Sequence, residues 1–177
     1  MKKITILMMI VCLCASTAIF ALDGSWNAED NTWSVATNWV GDVIADGAGN
    51  TATFANQMND VWDAKYVLVD SPRTIGTIDF GSSSGYSTYW ALNSGTITLD
   101  NGGSSPVINV AGIWGAMIDS IAGVNGFNKT GADLLRFYGD NEISGSVTAS
   151  AGTLGAYNAN ALKRRCNCRR RNLRSRS

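Results

Sequence analysis

From Gly126 to Leu154 the chain reads GFNKTGADLLRFYGDNEISGSVTASAGTL, and its apolar residues come in short alternating bursts. Leu135 and Phe137, Ile143, Val147 and Leu154 are separated by Gly131, Gly139-Asp140-Asn141, Gly145 and Ala151-Gly152. Alternation at a period of two, broken every few residues by turn formers, predicts strand, turn, strand, turn at a pitch too short for helices. No single segment of this kind can bury its own apolar residues. The chain must lay strand upon strand.

The same pattern runs upstream. Strands are predicted at 51–54, 66–69, 74–80, 89–92, 96–99, 107–110, 117–121, 134–137 and 146–149. Several carry an apolar-x-apolar core: Ile78 and Phe80, Ile97 and Leu99, Ile108 and Val110, Leu135 and Phe137. No stretch sustains a period of 3.6 residues, and 19 glycines supply the corners that tight turns need. Two all-β architectures fit this pattern. One is a parallel β-solenoid with coils of about 20 residues; the other is an antiparallel β-sandwich.

Charge divides the chain into three parts. All 14 acidic residues fall between Asp23 and Glu142, where only Lys65, Arg73, Lys129 and Arg136 oppose them, so this body carries 4 − 14 = −10. An acidic surface repels polyanions, which excludes nucleic acid as a partner of the body. Met1-Lys2-Lys3 followed by the apolar run from Ile4 to Ala15 predicts a secretory signal over 1–21. Cleavage is expected after Ala21, or failing that after Ala18. Contact with membrane is then expected only through that signal during export. Cys12 and Cys14 lie in it, and Cys166 and Cys168 lie near the C-terminus. The fold between them must therefore stand without disulfides, and its length is enough for one domain.

The Gly126–Leu154 stretch resembles the autotransporter-associated β-strand repeat of bacterial surface proteins. That unit runs roughly G-L-x-K-x-G-x-G-x-L-x-L-x-G-x-N-x-Y-x-G-x-T-x-V-x-x-G-x-L. Lys129, in Phe127-Asn128-Lys129-Thr130-Gly131, falls on the lysine of the unit, where it reads as a structural corner residue. Asp133 stands where the family has glycine, and Glu142-Ile143 where it usually has an aromatic. Ser25 to Val40, with Trp26, Trp33 and Asn38-Trp39, resembles the tryptophan-rich opening found upstream of such repeats. The resemblance implies a right-handed parallel β-solenoid, or β-helix, over 51–162, capped by an aromatic segment at 22–50. It also implies a place in the secreted fraction or on the cell surface of a Gram-negative bacterium, in a structural or adhesive role. A solenoid needs about three stacked units, yet only 126–154 matches the repeat well, so the earlier runs are expected to supply degenerate coils.

Sites are sparse. With no histidine in the chain, the usual triads and most zinc chemistry are excluded, and no cofactor is expected. Trp26, Trp33, Trp39, Trp62, Tyr86, Tyr89 and Trp90 could form a sugar-stacking platform for an extracellular glycan, with Trp62, Tyr89 and Trp90 the candidates. The competing reading makes them cap and core. Asp42, Asp46 and Asn50, around Gly47, offer oxygen ligands for calcium on one loop, against the reading of an acidic turn. Asp60, Asp63 and Asp70, with Lys65 or Arg73, are the only grouping that could serve a polysaccharide lyase or hydrolase. Other surface proteins are the remaining expected partners. The tail 163–177 (KRRCNCRRRNLRSRS) is unlike everything before it and reads as a disordered arm, or as the product of a frameshift near residue 162 that interrupts further repeats.

Overall fold

The computed structural model describes residues 22–55, 64–82 and 89–162. The predicted signal, the basic tail, Trp62, Tyr86, Asp60 and Asp63 lie outside the described residues. Within them the chain forms one sheet. Its strands are β1 (Gly24–Ser25), β2 (Asn31–Thr32), β3 (Gly47–Phe54), β4 (Ala64–Leu68), β5 (Arg73–Phe80), β6 (Tyr89–Leu99) and β7 (Val107–Val110). Then come β8 (Gly115–Gly123), β9 (Phe127–Thr130), β10 (Leu134–Phe137), β11 (Glu142–Ile143), β12 (Val147–Ala149) and β13 (Thr153–Ala156).

Every pairing between these strands is parallel. Antiparallel contact among the described residues is confined to isolated bridges such as Trp26 with Trp39. The antiparallel sandwich is therefore not the architecture formed. Three ladders account for the pairing. The first stacks Ser25, Thr53, Asp79, Asn109 and Thr130. The second stacks Thr32, Leu68 and Asn93, and continues through β8, β10 and β13. The third stacks Ile75 on Leu99, then joins the end of β6 to β8 and β8 to β11. Strands β3, β5, β6 and β8 bend through a corner, so each serves two ladders. The chain visits first, second and third ladder in the same order throughout, an arrangement that fits a β-helix.

The predicted strands overlap observed ones, and 107–110 and 134–137 coincide with β7 and β10, but the two expected at 89–92 and 96–99 are the single strand β6, with a register shift between Leu92 and Thr96. The length of a circuit changes along the chain. From Thr51 to its neighbour Thr77 and on to Val107 is 26 and then 30 residues, whereas Val107 to Asn128 to Thr148 is 21 and 20. The repeat-like stretch is thus where circuits lose their inserted loops. The upstream circuits keep the same ladders. The boundary expected at residue 50 falls inside β3, because 22–50 already supplies β1, β2 and Gly47 to all three ladders.

Alternation decides what is inside. Ile78, Phe80, Ile97, Leu99, Ile108, Val110, Leu135 and Phe137 are all buried, while Val147 and Leu154 in the last circuit are half-buried against that core. At the N-terminal end Trp26, Trp33 and Trp39 surround Phe54. Trp39 meets Trp26 and Trp33 edge-on, each at 5.1 Å between ring centroids. Each indole N–H donates to a carbonyl: Trp26 to Ala28 at 2.8 Å, Trp33 to Ala45 at 3.0 Å and Trp39 to Trp33 at 2.8 Å. Full burial is thereby reached with the polar edge of each ring satisfied. Phe54 stacks on Phe80 at 5.4 Å, carrying the aromatic column into the next circuit.

Two substitutions test this packing. Trp33→Ala is expected to cost about 3–5 kcal/mol in urea unfolding, the range for truncating a large aromatic in a core, with Trp33→Phe recovering part of it. Gly126 has φ +65°, and a Cβ there would stand 1.8 Å from the Ser146 carbonyl oxygen. Gly126→Ala should therefore cost at least about 2 kcal/mol, since left-handed strain and a backbone clash add; a melting temperature unchanged from wild type would refute the stacking of β9 under β12.

Candidate functional site

Where the backbone turns between ladders, or a strand runs past the end of the one stacked on it, N–H groups lose their sheet partners. Aspartates from neighbouring circuits supply the acceptors. Asp23 accepts from the Thr51 N–H at 2.7 Å, Asp30 from Tyr66 at 2.7 Å, Asp46 from Thr74 at 3.0 Å and Asp70 from Ser34 at 3.1 Å. Asp119 accepts from Ser94 and Asp133 from Ile113, both at 3.0 Å. Asn141, buried, accepts from Ile121 N–H at 2.6 Å and donates to Ala161 carbonyl at 2.7 Å, tying three circuits together. The acidity of the body thus has a structural use, because charge-assisted bonds of this kind are strong.

Lys129 supplies the opposite service. It lies on the inward row between Ile108 and Ala149, fully buried, and its ammonium donates to the carbonyls of Thr130 at 2.6 Å and Gly131 at 2.8 Å. Burial pushes its pKa below the ordinary lysine value, and the negative charge of Asp133 partly opposes that shift.

The outer faces of the three ladders differ. On the first, Asn109 donates to Asp79 at 2.7 Å and Thr130 donates to Asn109 at 3.0 Å, a polar ladder. On the third, Thr96 and Ser120 hydroxyls meet at 3.2 Å. The second ladder is aromatic outside. Tyr66 and Leu68 are 44% and 43% exposed, Tyr138 and Tyr157 41% and 57%, and Trp114, just before β8, 65%. Tyr138 and Tyr157 stack at 4.9 Å with 14° between their planes. The Arg136 guanidinium lies 5.6 Å from the Tyr89 ring centroid and 5.7 Å from that of Tyr157. Burial raises the Tyr89 pKa, and Arg136 opposes the rise. Near the N-terminal end of this face, Asp30, Asn31, Thr32, Tyr66, Leu68, Asn93 and Ser94 line an open depression of about 450 Å³.

The residues singled out from sequence are placed differently. Trp90 is 0% exposed, its indole N–H donating to the Gly81 carbonyl at 3.4 Å, and cannot stack a sugar. The reason is strand parity: Tyr89 and Trp90 are consecutive in β6, so their side chains leave on opposite faces. Trp26, Trp33 and Trp39 are likewise inside. Tyr89 remains on the outer face, half-buried beside Arg136. Asp42 is exposed at a kink with φ 59°, while the Asp46 carboxylate accepts from Gly47 and Thr74 N–H groups and pairs with Arg73 at 3.1 Å. Asn50 donates its amide to the Asp46 carbonyl, not to a shared centre. Among the described residues no group of three or more Asp, Glu, Cys or His side chains is gathered. Lys65 pairs with Glu29, and Arg73 lies between Asp46 and Asp70. Tyr66, Trp114, Tyr138 and Tyr157 were not singled out. The 19-residue interval between Tyr138 and Tyr157 is the signal that could have found the last two, since it equals the step from Leu135 to its neighbour Leu154.

Asp70 offers a pH test. The Ser34 hydroxyl bond, aided by the Ser34 N–H and the charge of Arg73, holds its pKa below 3.8. A depressed folded pKa means stability that is present above the unfolded value and lost as pH falls through the folded one. Thermal melts of Asp70→Asn should accordingly lose less on acidification below about pH 4 than wild type. Equal slopes would show that this contact contributes nothing.

No protein-family model matches the chain, and no solved structure does. Over 139 residues, 78% of the chain, it is 30% identical to a protein described as adhesin BmaC autotransporter, from Brucella suis biovar 1 (strain 1330). The chain spans 4% of the length of that curated relative. The similarity makes this chain a distant homologue of part of an autotransporter adhesin.

Proposed function

We propose that the chain is an exported, non-catalytic β-helix of the bacterial cell surface, adhesive in role, with the coils winding in the right-handed sense and 22–50 closing the N-terminal end. The observation that carries the reading is the parallel three-ladder stacking, supported by the likeness to an autotransporter adhesin. A stack of this kind is stiff along its axis, because each circuit is bonded to its neighbours along all three ladders. It can hold a contact surface away from the cell. The tryptophans suit the closing role: among the described residues no earlier circuit covers the core of the first one, and three indoles fill that space.

The acidic corners favour this reading over a hydrolytic one. Asp46 and Asp70 are held by backbone N–H groups and Arg73, which leaves them engaged in the fold and not poised over a cleft. Displaying the chain on the surface of a non-adherent bacterium, through a carrier anchor, should raise its retention on epithelial or matrix-coated surfaces several-fold over the carrier alone. Retention equal to that of the carrier would sink the adhesive role.

A further inference from the structure

The exposed aromatic face of the second ladder is the part of the exterior that stacking does not explain. Inward rows must be apolar; outward rows need not be, and on the other two ladders they are mostly Thr, Ser, Asn and Asp, with Val107, Ala122 and Glu142 among them and no aromatic ring. Large exposed apolar groups gathered on one side mark a contact surface. We infer that the depression beside Tyr66 is a binding subsite for a neutral glycan, a hexopyranose chain without carboxylate or sulfate. This rests on the adhesive reading and names its partner.

The chemistry of the lining selects that class. A pyranose presents an apolar C–H face and a rim of hydroxyls. Tyr66 and Leu68, each exposed by more than two-fifths, offer the apolar surface, and Asp30, Asn31, Asn93 and Ser94 offer the polar rim. One Asp30 oxygen is taken by the Tyr66 N–H; a carboxylate has further lone pairs with which to accept from hydroxyls. The Asn93 side-chain oxygen is buried with no hydrogen-bond partner, a costly state that a hydroxyl donor would relieve. Ser94 stands at φ 77°, an unusual conformation for a residue with a side chain, held there by its N–H bond to Asp119.

Charge decides between neutral and acidic sugars. Asp30 is the one acidic side chain among the lining residues, which include no basic one, and the body around it carries −10. A uronate or sulfated chain would meet repulsion here; a neutral one would not. Arg136, the cation of this face, is occupied between Tyr89 and Tyr157 further along it. Leu92 stacks on through Ile118 and Phe137 to Ala156, on rungs about 4.8 Å apart, and the residues that follow these in the chain are Asn93, Asp119, Tyr138 and Tyr157. A chain lying along the stack would therefore meet a second aromatic contact.

The test uses the purified full chain on an array of immobilised neutral, uronate-bearing and sulfated oligosaccharides. Retention of neutral hexose oligomers is expected, with at least a tenfold loss of affinity in Tyr66→Ala, partial recovery in Tyr66→Phe and a smaller loss in Asn93→Ala. Tyr66 is an exposed side chain on a paired strand, so its variants should keep the wild-type melting curve, which is measured alongside. Binding restricted to anionic glycans overturns the inference, as does neutral binding abolished by Trp114→Ala but untouched by Tyr66→Ala. No glycan retained overturns it too. If displayed cells still adhere while Tyr66→Ala changes nothing, the adhesive reading survives and the glycan subsite does not.

Discussion

Parallel stacking in register is the constraint on which everything else depends. Once Thr77 pairs with both Thr51 and Val107, the residues beside them must also align, rung after rung. Inward rows then become columns: Ala52, Ile78, Ile108 and Lys129 in one, Phe54, Phe80 and Val110 in another. A residue too large or too small in a column disturbs two neighbours, not one, because each circuit is covered only by the circuits on either side. Extra residues can be admitted only at corners. The 26- and 30-residue circuits differ from the 20-residue one in the loops between ladders, while their paired positions remain the same in kind.

Corners pose the complementary problem. A bend takes N–H and C=O groups out of the ladders, and each that is buried must find a partner. Aspartates solve the donor side, and Lys129 and the Asn141 amide solve the acceptor side. Lys129 shows how binding the requirement is. Its ammonium is held inside at the cost of desolvation, in a column otherwise filled by Ala and Ile, to satisfy two carbonyls at the turn through Gly131. The net negative charge of the body is thus in large part a consequence of how its corners are closed.

What the sequence made legible follows from this division. Strand positions were readable because alternation and glycine corners are local signals: Ile78-x-Phe80 and Leu135-x-Phe137 announce themselves. Short strands whose existence depends on a neighbouring circuit, such as β1, β2 and β11, were not, since two residues carry no period. The site was misread at Trp90 for a physical reason that was available, because adjacent strand residues cannot share a face. Tyr66 was obscured by the opposite effect: its alternation with Val67 and Leu68 gives no sign of which parity faces out, and burial on either side of Val67 settles it. The long-range Asp bonds, up to 36 residues apart, could not be read without the stacking.

The aromatic exterior has to be accounted for separately from the core. Trp26, Trp33, Trp39 and Trp90 bury large areas and find carbonyl partners, so their cost in exposure is nil and their place needs no ligand. Tyr138 and Tyr157 gain from stacking on each other, and Tyr157 from the Arg136 guanidinium, but Tyr66 gains little from the fold, because its row faces outward and its paired neighbour is as small as Ala91. Threonine or asparagine at position 66 would satisfy the ladder as well, as they do on the first ladder. Folding alone therefore does not select tyrosine there. The proposed glycan contact would select a flat, amphipathic ring there, and the confinement of the exposed rings to one face of a stiff stack would give that contact a direction.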